Sequence, residues 1–279
     1  MRIGVNAWFW AQPFTTKDQW VCKRVAELGF NHIEISIEST AQDLDYIALS
    51  QTIKDNGLTV SACAFFDESC DFCLEEAAKA QNAMKYMRYV ADALQTLGGT
   101  VASGPFFSSI QRFWHPKDRK ADLARAANYL KQMGDYAADR GIIFGIECIN
   151  RYETSLINTA EQGMELVEMV DHPNVGLHLD SFHMGIEEKD LGKAIERAGK
   201  KLVHFHANEN DRGVPGSGHT DWKGIAAAVK TTGYDRGMVI ESFNHNLEQF
   251  AGIAKLWRPI VPKDSDLAGG ASFLKNLFT

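Results

Sequence analysis

The sequence predicts an α/β protein of the (β/α)8 TIM barrel class, folded as a single domain. Short apolar runs alternate regularly with helical stretches, the 279 residues hold eight such runs, and glycine follows most of the helical stretches. Repeated strand–helix alternation implies parallel pairing through right-handed crossovers. Eight such units over about 260 residues fit a closed barrel. We therefore expect residues 1–279 to form one barrel domain with a closing helix at its C-terminal end.

The eight predicted strands are apolar runs, and several of them end in a charged or polar residue. They are Arg2–Trp8, His32–Ser36, Thr59–Ala64, Thr100–Gly104, Ile142–Glu147, Val175–Asp180, Leu202–His206 and Met238–Glu241. An open doubly wound sheet is the alternative. It is disfavoured because no G-x-G-x-x-G turn follows the first run.

Helical stretches lie between these strands. They are Thr16–Leu28, Leu74–Leu97, Asp118–Arg140, Thr159–Val170 and Asp221–Thr232. Gly29 is typical of the residue that ends a helix, and Thr159 of an N-cap. We expect Ser181–Lys189 to be a loop, and Asp264–Thr279 to be a helix that packs on the barrel or on a partner subunit.

Composition excludes several classes of function. The net charge of −7 disfavours a nucleic-acid partner, which calls for a basic face. No apolar run approaches the length that spans a membrane, and the N-terminus carries no signal-peptide pattern. A cytoplasmic location is the default expectation.

The five cysteines are scattered, which argues against a disulfide framework. Cys70-x-x-Cys73 lacks the two further ligands that a structural zinc site needs. We interpret this pair as incidental loop cysteines, and their role stays open.

Four residues end, or nearly end, the last four predicted strands: Glu147, Asp180, His206 and Glu241. If these strands are neighbours in one parallel barrel, the four side chains converge at its catalytic face. Three carboxylates and one imidazole favour Mn²⁺, Co²⁺ or Mg²⁺ over a thiolate-bound zinc. The sequence therefore predicts a site for one divalent metal ion. His178 and His204 lie one layer deeper and are expected to form hydrogen bonds from below.

Such a site could chelate a ketone oxygen and a neighbouring hydroxyl, and stabilise the negative charge of an enediolate. Glu147 and Glu241 could lie on opposite sides of the substrate and act as acid and base. Glu153, His183 and Arg212 lie in the loops that follow the ligand strands and could hold substrate oxygens. The alternative for each of these three is an ordinary loop ion pair.

Four segments carry a family resemblance: ECINRYE (147–153), HLDSFHMGIEE (178–188), HFHANENDRGVPGSGHTDW (204–222) and VIESF (239–243). They resemble the ketose 3-epimerases that act on D-tagatose, D-allulose (psicose) or L-ribulose, within the xylose-isomerase-like TIM barrel superfamily. The resemblance implies a free ketose substrate and one metal ion, Mn²⁺ first, with Co²⁺ or Mg²⁺ as alternatives. It also implies a homodimer or homotetramer.

The resemblance further implies roles for single residues. Glu147, Asp180, His206 and Glu241 would bind the metal, and Glu147 and Glu241 would exchange the proton at C3. Glu153, His183 and Arg212 would contact the substrate near O1 to O3, and Gly104 would line the substrate site. Glu34 matches a frequent strand-two glutamate that supports a ligand from behind. Trp8, Trp10, Phe65 and Trp114 are candidates to contact the far end of the sugar.

Other functions remain open at this point. An aldose–ketose isomerase, a hydroxypyruvate isomerase or an inosose dehydratase would use the same metal and remove a proton from a different carbon. A zinc-dependent DNA-repair nuclease would need more histidine ligands and a basic surface. A non-catalytic carbohydrate-binding barrel would need no acid/base pair. A non-phosphorylated substrate is expected because the last two loops hold no glycine-rich cradle and no cluster of Lys or Arg.

Overall fold

In a computed structural model, the described residues are 1–113, 119–247, 252 and 255–278. Eight parallel strands form a closed barrel in sequence order, and the last strand pairs with the first. They are β1 (Arg2–Asn6), β2 (His32–Ser36), β3 (Thr59–Cys63), β4 (Val101–Gly104), β5 (Ile143–Glu147), β6 (Val175–Asp180), β7 (Leu202–His206) and β8 (Gly237–Ile240). The predicted fold class, a single (β/α)8 barrel, is confirmed.

Helices surround this barrel. Within the described residues they are α1 (Trp20–Glu27), α2 (Tyr46–Asp55), α3 (Ala77–Leu97), α4 (Arg119–Ala138), α5 (Ala160–Val170), α6 (Ser181–Glu187), α7 (Leu191–Ala198), α8 (Trp222–Thr232) and α9 (Ser265–Phe278). Thr159 caps α5 as predicted, since its hydroxyl accepts a hydrogen bond from the amide of Gln162 at 3.3 Å. Gly29 lies one residue beyond the C-cap of α1, at a positive φ of 87°. None of these described helices combines the length and apolar character needed to cross a bilayer.

The prediction that Ser181–Lys189 is a loop is wrong, because α6 begins directly after β6. The carboxylate of Asp180 accepts a hydrogen bond from the amide of Phe182 at 2.6 Å and so caps the helix. The first strand, β1, is shorter than predicted. Asn6 accepts a hydrogen bond from the amide of Trp8 at 2.9 Å, which starts a 3₁₀ turn over Ala7–Phe9.

The strands are buried on both faces, as a barrel covered by helices requires. Every residue of β2, β6 and β7 is buried. The apolar layers are interrupted by buried polar groups: Glu34, His178 and His204 lie within β2, β6 and β7, and Asp180 and His206 lie at the carboxyl ends of β6 and β7. Because polar groups in a barrel interior need partners, this interruption marks the functional end of the barrel.

Helix α9 is the predicted closing helix, and it packs on the barrel through Leu267, Ala271 and Leu274. Asp264 precedes it and bonds Arg24 of α1 in a bidentate pair, at 2.7 and 2.9 Å. The hydrogen bond from Arg24 lowers the pKa of Asp264 below its usual value. This pair therefore links the two ends of the chain.

We expect Asp264→Asn to lower the free energy of unfolding at neutral pH by about 0.5–1 kcal/mol, the range of partly exposed pairs. A depressed folded-state pKa stabilises the protein above the unfolded-state pKa, and this contribution is lost as the pH falls through the folded-state value. Urea unfolding of both proteins over a range of pH checks this, since the difference should shrink once the pH falls below the usual pKa of an aspartate and vanish below the depressed pKa of Asp264. A difference that is constant with pH would contradict it.

Candidate active site

The four strand-end residues meet at the carboxyl ends of β5 to β8. Nδ1 of His206 lies 3.7 Å from Oδ2 of Asp180 and 3.5 Å from Oε1 of Glu241. Single ligand atoms of Glu147, Asp180 and His206 all lie within 4.8 Å of one another. All four residues are buried. The sequence-predicted ligand set is thus brought to one point.

Asn208 orders this cluster and was missed by the sequence analysis. Its amide nitrogen donates to both oxygens of Asp180, at 3.1 and 3.0 Å. Its amide oxygen accepts a hydrogen bond from the backbone N–H of Glu241 at 2.8 Å. The alternation that places His204 and His206 on one face continues to Asn208, and this signal could have identified it.

His206 is held from behind by Glu34, at 2.7 Å between Nε2 and Oε1. The other oxygen of Glu34 accepts a hydrogen bond from Ser61 at 2.8 Å and lies 2.7 Å from Nε2 of His204. Burial alone would raise the pKa of Glu34, but the imidazoles of His204 and His206 lower it well below its usual value. Glu34 is therefore an ionised acceptor that fixes the proton of His206 on Nε2.

The opposite nitrogen of His206, Nδ1, has no hydrogen-bond partner within the part of the chain that the structure describes. A histidine that donates one ring N–H to a carboxylate and points its other nitrogen into a cluster of carboxylates has the usual arrangement of a metal ligand. The residues present therefore fit a divalent cation, and the oxygen-rich donor set suits Mn²⁺, Co²⁺ or Mg²⁺.

The charges around Glu147 also indicate a site for a divalent cation. Burial raises the pKa of this carboxyl well above its usual value; His206 opposes the rise, and the carboxylates of Glu241 and Asp180 add to it. A divalent cation at this point would supply the positive charge that the buried carboxylates need in order to ionise together.

His178 lies beneath the cluster, as predicted, but its contacts differ from the prediction. Neither ring nitrogen has a hydrogen-bond partner among the described residues. Nδ1 of His178 lies 3.8 Å from Oε2 of Glu147, and the ring packs edge-on against His204 and His206. His204 contacts Glu34, as a supporting group would.

His183 is oriented by the loop after β5. Its Nδ1 accepts a hydrogen bond from the backbone N–H of Asn150 at 3.1 Å, and its Nε2 lies 3.2 Å from Nη2 of Arg212. Nε2 lies 3.8 Å from Oε1 of Glu147. Burial lowers the pKa of His183, which keeps the ring neutral. Glu153 receives a hydrogen bond from the Asn150 side chain at 2.8 Å and lies 4.0 Å from Nδ1 of His183.

Arg212 places a buried positive charge between two of the carboxylates. Its Nη1 lies 3.1 Å from Oδ2 of Asp180 and also donates to Glu241. The guanidinium carbon lies 4.2 Å from the ring centre of Phe182. Burial opposes the charge, but the carboxylates of Glu241 and Asp180 raise the pKa of Arg212 above its usual value. The guanidinium is therefore a permanent cation in the site.

These polar groups open onto one cavity of about 590 Å³, counted with its open mouth. Its polar wall contains Glu147, Glu153, His183, Arg212 and Glu241, and its apolar wall contains Trp8, Cys63, Phe65, Ile110, Ile149 and Phe243. Cys63 and Phe243 were missed, although Cys63 lies two residues before the candidate Phe65 and Phe243 lies two residues after Glu241. A cavity with one polar and one apolar wall suits a small sugar.

The remaining predicted positions have a weaker connection to this cavity, or none among the described residues. Trp10 packs on Phe9 and lies 3.4 Å from Asp264 through Nε1, away from this cavity. Trp114 lies outside the described residues. Gly104 has a φ of 150°, and a Cβ there would lie 1.8 Å from the carbonyl oxygen of Ala64. Its neighbour Pro105 lines the cavity, and a substrate contact at Gly104 remains a prediction.

The two loop cysteines are buried thiols. Cys73 donates to the carbonyl oxygen of Phe107 at 3.2 Å. Burial raises the pKa of Cys73 well above its usual value and also raises that of Cys70. Both thiols therefore stay protonated.

We expect Glu34→Gln to weaken divalent-metal binding by about 10- to 100-fold, the range for losing a carboxylate behind a ligating histidine. The neutral amide no longer fixes the tautomer of His206. Calorimetric titration with Mn²⁺ measures this. Glu196→Gln, on an exposed face of α7, serves as the matched control. Equal affinities in both variants would show that Glu34 does not act through His206.

Comparison with known proteins agrees with this fold and site. The sequence profile of the xylose isomerase-like TIM barrel family matches residues 22–277. The chain belongs to this family. Within it, the chain is similar to ketose 3-epimerases, isomerases that act on sugars, and it is an enzyme of that class.

Three relatives cover nearly the whole chain. A D-psicose 3-epimerase of Agrobacterium fabrum is 31% identical, over 99% of this chain and 94% of the relative. An L-ribulose 3-epimerase of a Methylomonas species is 30% identical, over 91% of this chain and 89% of the relative. The crystal structure of a D-psicose 3-epimerase of Clostridium cellulolyticum with D-tagatose superposes with a TM-score of 0.90 at 29% identity, covering 100% of this chain and 99% of that one.

Proposed function

We propose that this enzyme is a metal-dependent epimerase that inverts C3 of a free ketose of the D-tagatose, D-fructose/D-allulose or L-ribulose type. The observation that carries the proposal is the buried Nδ1 of His206, which faces the carboxylates of Asp180 and Glu241 at 3.7 and 3.5 Å. The metal ligands would be Glu147, Asp180, His206 and Glu241. Mn²⁺ is the first choice of ion, with Co²⁺ and Mg²⁺ as alternatives.

When bound, the cation would act as a Lewis acid toward the C2 carbonyl and an adjacent hydroxyl of the open-chain ketose. The protein's own groups then account for the proton transfers. Glu147 and Glu241 approach the cavity from strands β5 and β8, so that one removes the C3 proton and the other returns a proton to the opposite face. The substrate passes through a cis-enediolate between the two transfers.

Three further side chains would hold the substrate. The ring of neutral His183, held between Asn150 and Arg212, lies beside Glu147 and would contact a substrate oxygen there. Arg212 offers a buried cation to the negative charge that develops on the enediolate oxygens. Glu153, braced by Asn150, can accept a hydrogen bond from a hydroxyl near C1. The apolar wall excludes water around the reacting carbons.

A panel of free ketoses, incubated with metal-depleted enzyme and then with added Mn²⁺, Co²⁺ or Mg²⁺, tests this function. We expect no turnover after chelation, and a C3 epimer as the sole product when about one equivalent of ion is restored. Full activity in the metal-depleted enzyme would contradict the proposal. An aldose product would favour the alternative, an aldose–ketose isomerase. A homodimeric or homotetrameric state and a cytoplasmic location remain predictions from the sequence.

A further inference from the structure

A second, polar cavity lies beside the active-site cavity on the same face of the barrel. It measures about 730 Å³, counted with its open side. Its wall comes from the segments that follow β2 and β3 and from α3, and includes Glu38, Asp67, Ser69, Asn82, Lys85 and Tyr86. We call this the side groove. None of these residues takes part in the chemistry described above.

Two side chains connect the side groove with the active-site cavity. Phe65 contributes to the walls of both. Trp8 lines the active-site cavity and donates its indole N–H to Glu38 of the side groove at 2.8 Å. Gln12 donates to the other oxygen of Glu38 at 2.9 Å, so this carboxylate is held in place. The two spaces are therefore adjacent, with the partly exposed ring of Phe65 as a shared wall and Trp8 linked to both.

The chemistry of the side groove suits a neutral sugar. Glu38 and Asp67 can accept hydrogen bonds from hydroxyls, while Asn82 and Lys85 can donate them. The hydroxyl of Ser69 donates a hydrogen bond to Oδ1 of Asp67 at 2.6 Å. This contact does not involve Oδ2 of Asp67. Two carboxylates and one ammonium disfavour a phosphate group. The Phe65 ring offers the apolar face on which a pyranose can stack.

We propose that the side groove is a distal subsite for a neutral glycosyl unit attached to the far end of the ketose. This inference rests on the proposed function, which places C1 to C3 of the ketose at the metal ligands. In that position, C4 to C6 would extend along the apolar wall toward Phe65. The enzyme then accepts ketoses that carry a sugar on O6 as well as free ketoses. No covalent step is added, because the glycosyl unit is only bound.

The test compares D-fructose with 6-O-glucosyl-D-fructose as substrates of the metal-loaded enzyme. We expect C3 epimerisation of both, with kcat/KM for the glucosylated ketose within about tenfold of that for the free one. The double variant Asp67→Asn/Asn82→Ala should lower kcat/KM for the glucosylated ketose about tenfold and change that for D-fructose less than about twofold. Asp139→Asn, an exposed position just beyond α4, is the matched control.

The outcomes separate this inference from the proposed function. If a free ketose is epimerised but 6-O-glucosyl-D-fructose is not, the distal subsite is refuted and the epimerase stands. If the double variant lowers turnover of both substrates equally, the side groove acts on the fold rather than on the substrate, and the inference is refuted as well. If no free ketose exchanges its C3 proton, the proposed function itself fails.

Discussion

Replacing Glu241 by Gln should lower kcat by about 10³-fold or more, and Glu147→Gln should do the same. An amide cannot take or return a proton, and general acid–base catalysis alone contributes about 10²- to 10⁴-fold. The amide is also a weaker ligand for a hard cation than a carboxylate. The side chain keeps its size, so Arg212 and Asn208 keep their places around Glu241. Steady-state kinetics at saturating Mn²⁺ measure the effect.

Two further variants define the baseline for this experiment. Glu153→Gln removes a proposed substrate contact and neither of the two proposed proton-transfer groups, and should cost about tenfold in kcat/KM. Glu165→Gln, in an exposed ion pair with Arg119, should leave the kinetics unchanged. If Glu241→Gln retains more than about a tenth of wild-type kcat with its metal bound, the two-glutamate mechanism is wrong.

Arg212→Met should lower kcat/KM by about 10²- to 10³-fold, the range for losing a positioned donor at a developing oxyanion. Metal affinity should not fall with it. The guanidinium competes with the cation for the oxygens of Asp180 and Glu241, so its removal leaves these carboxylates free to bind the ion. This split between catalysis and metal binding distinguishes Arg212 from the ligands. Kinetics and Mn²⁺ titration of the same sample measure both quantities.

Arg258→Met is the matched control, because Arg258 is an exposed arginine paired with Asp211 at 3.1 Å. It should retain wild-type kinetics and metal affinity. If Arg212→Met loses metal binding together with activity, Arg212 supports the ligands rather than the transition state.

The sequence alone predicted the barrel and the convergence of Glu147, Asp180, His206 and Glu241 because both depend on local patterns. An apolar run that ends in Glu147 or Asp180 is visible without coordinates, and parallel closure brings such ends together. Helix α2 was missed although Asp45 is a regular N-cap, accepting from the amides of Ile47 and Ala48 at 3.0 Å. The stretch before this helix, residues 38–45, is mostly polar, and its sequence is typical of a long loop.

Other features depend on contacts between distant segments. The sequence analysis named Trp8 and Phe65 as candidate sugar contacts, but it could not show that they form one wall with Phe243. The apolar wall of the cavity joins Trp8 after β1, Phe65 after β3 and Phe243 after β8. No spacing in the sequence links these three positions. The alternation after His206 points to Asn208, but its bonds to both Asp180 and Glu241 appear only once β6, β7 and β8 lie side by side.

The most direct test of the central claim follows deuterium from solvent into the ketose. The metal-loaded enzyme is incubated in D₂O with the ketose it turns over best, and the position of the label is read by NMR. Proton exchange by Glu147 and Glu241 predicts deuterium at C3 of the product and of the recovered substrate, with C1 unlabelled. Label at C1, or inversion at C3 with no solvent deuterium, would contradict the account.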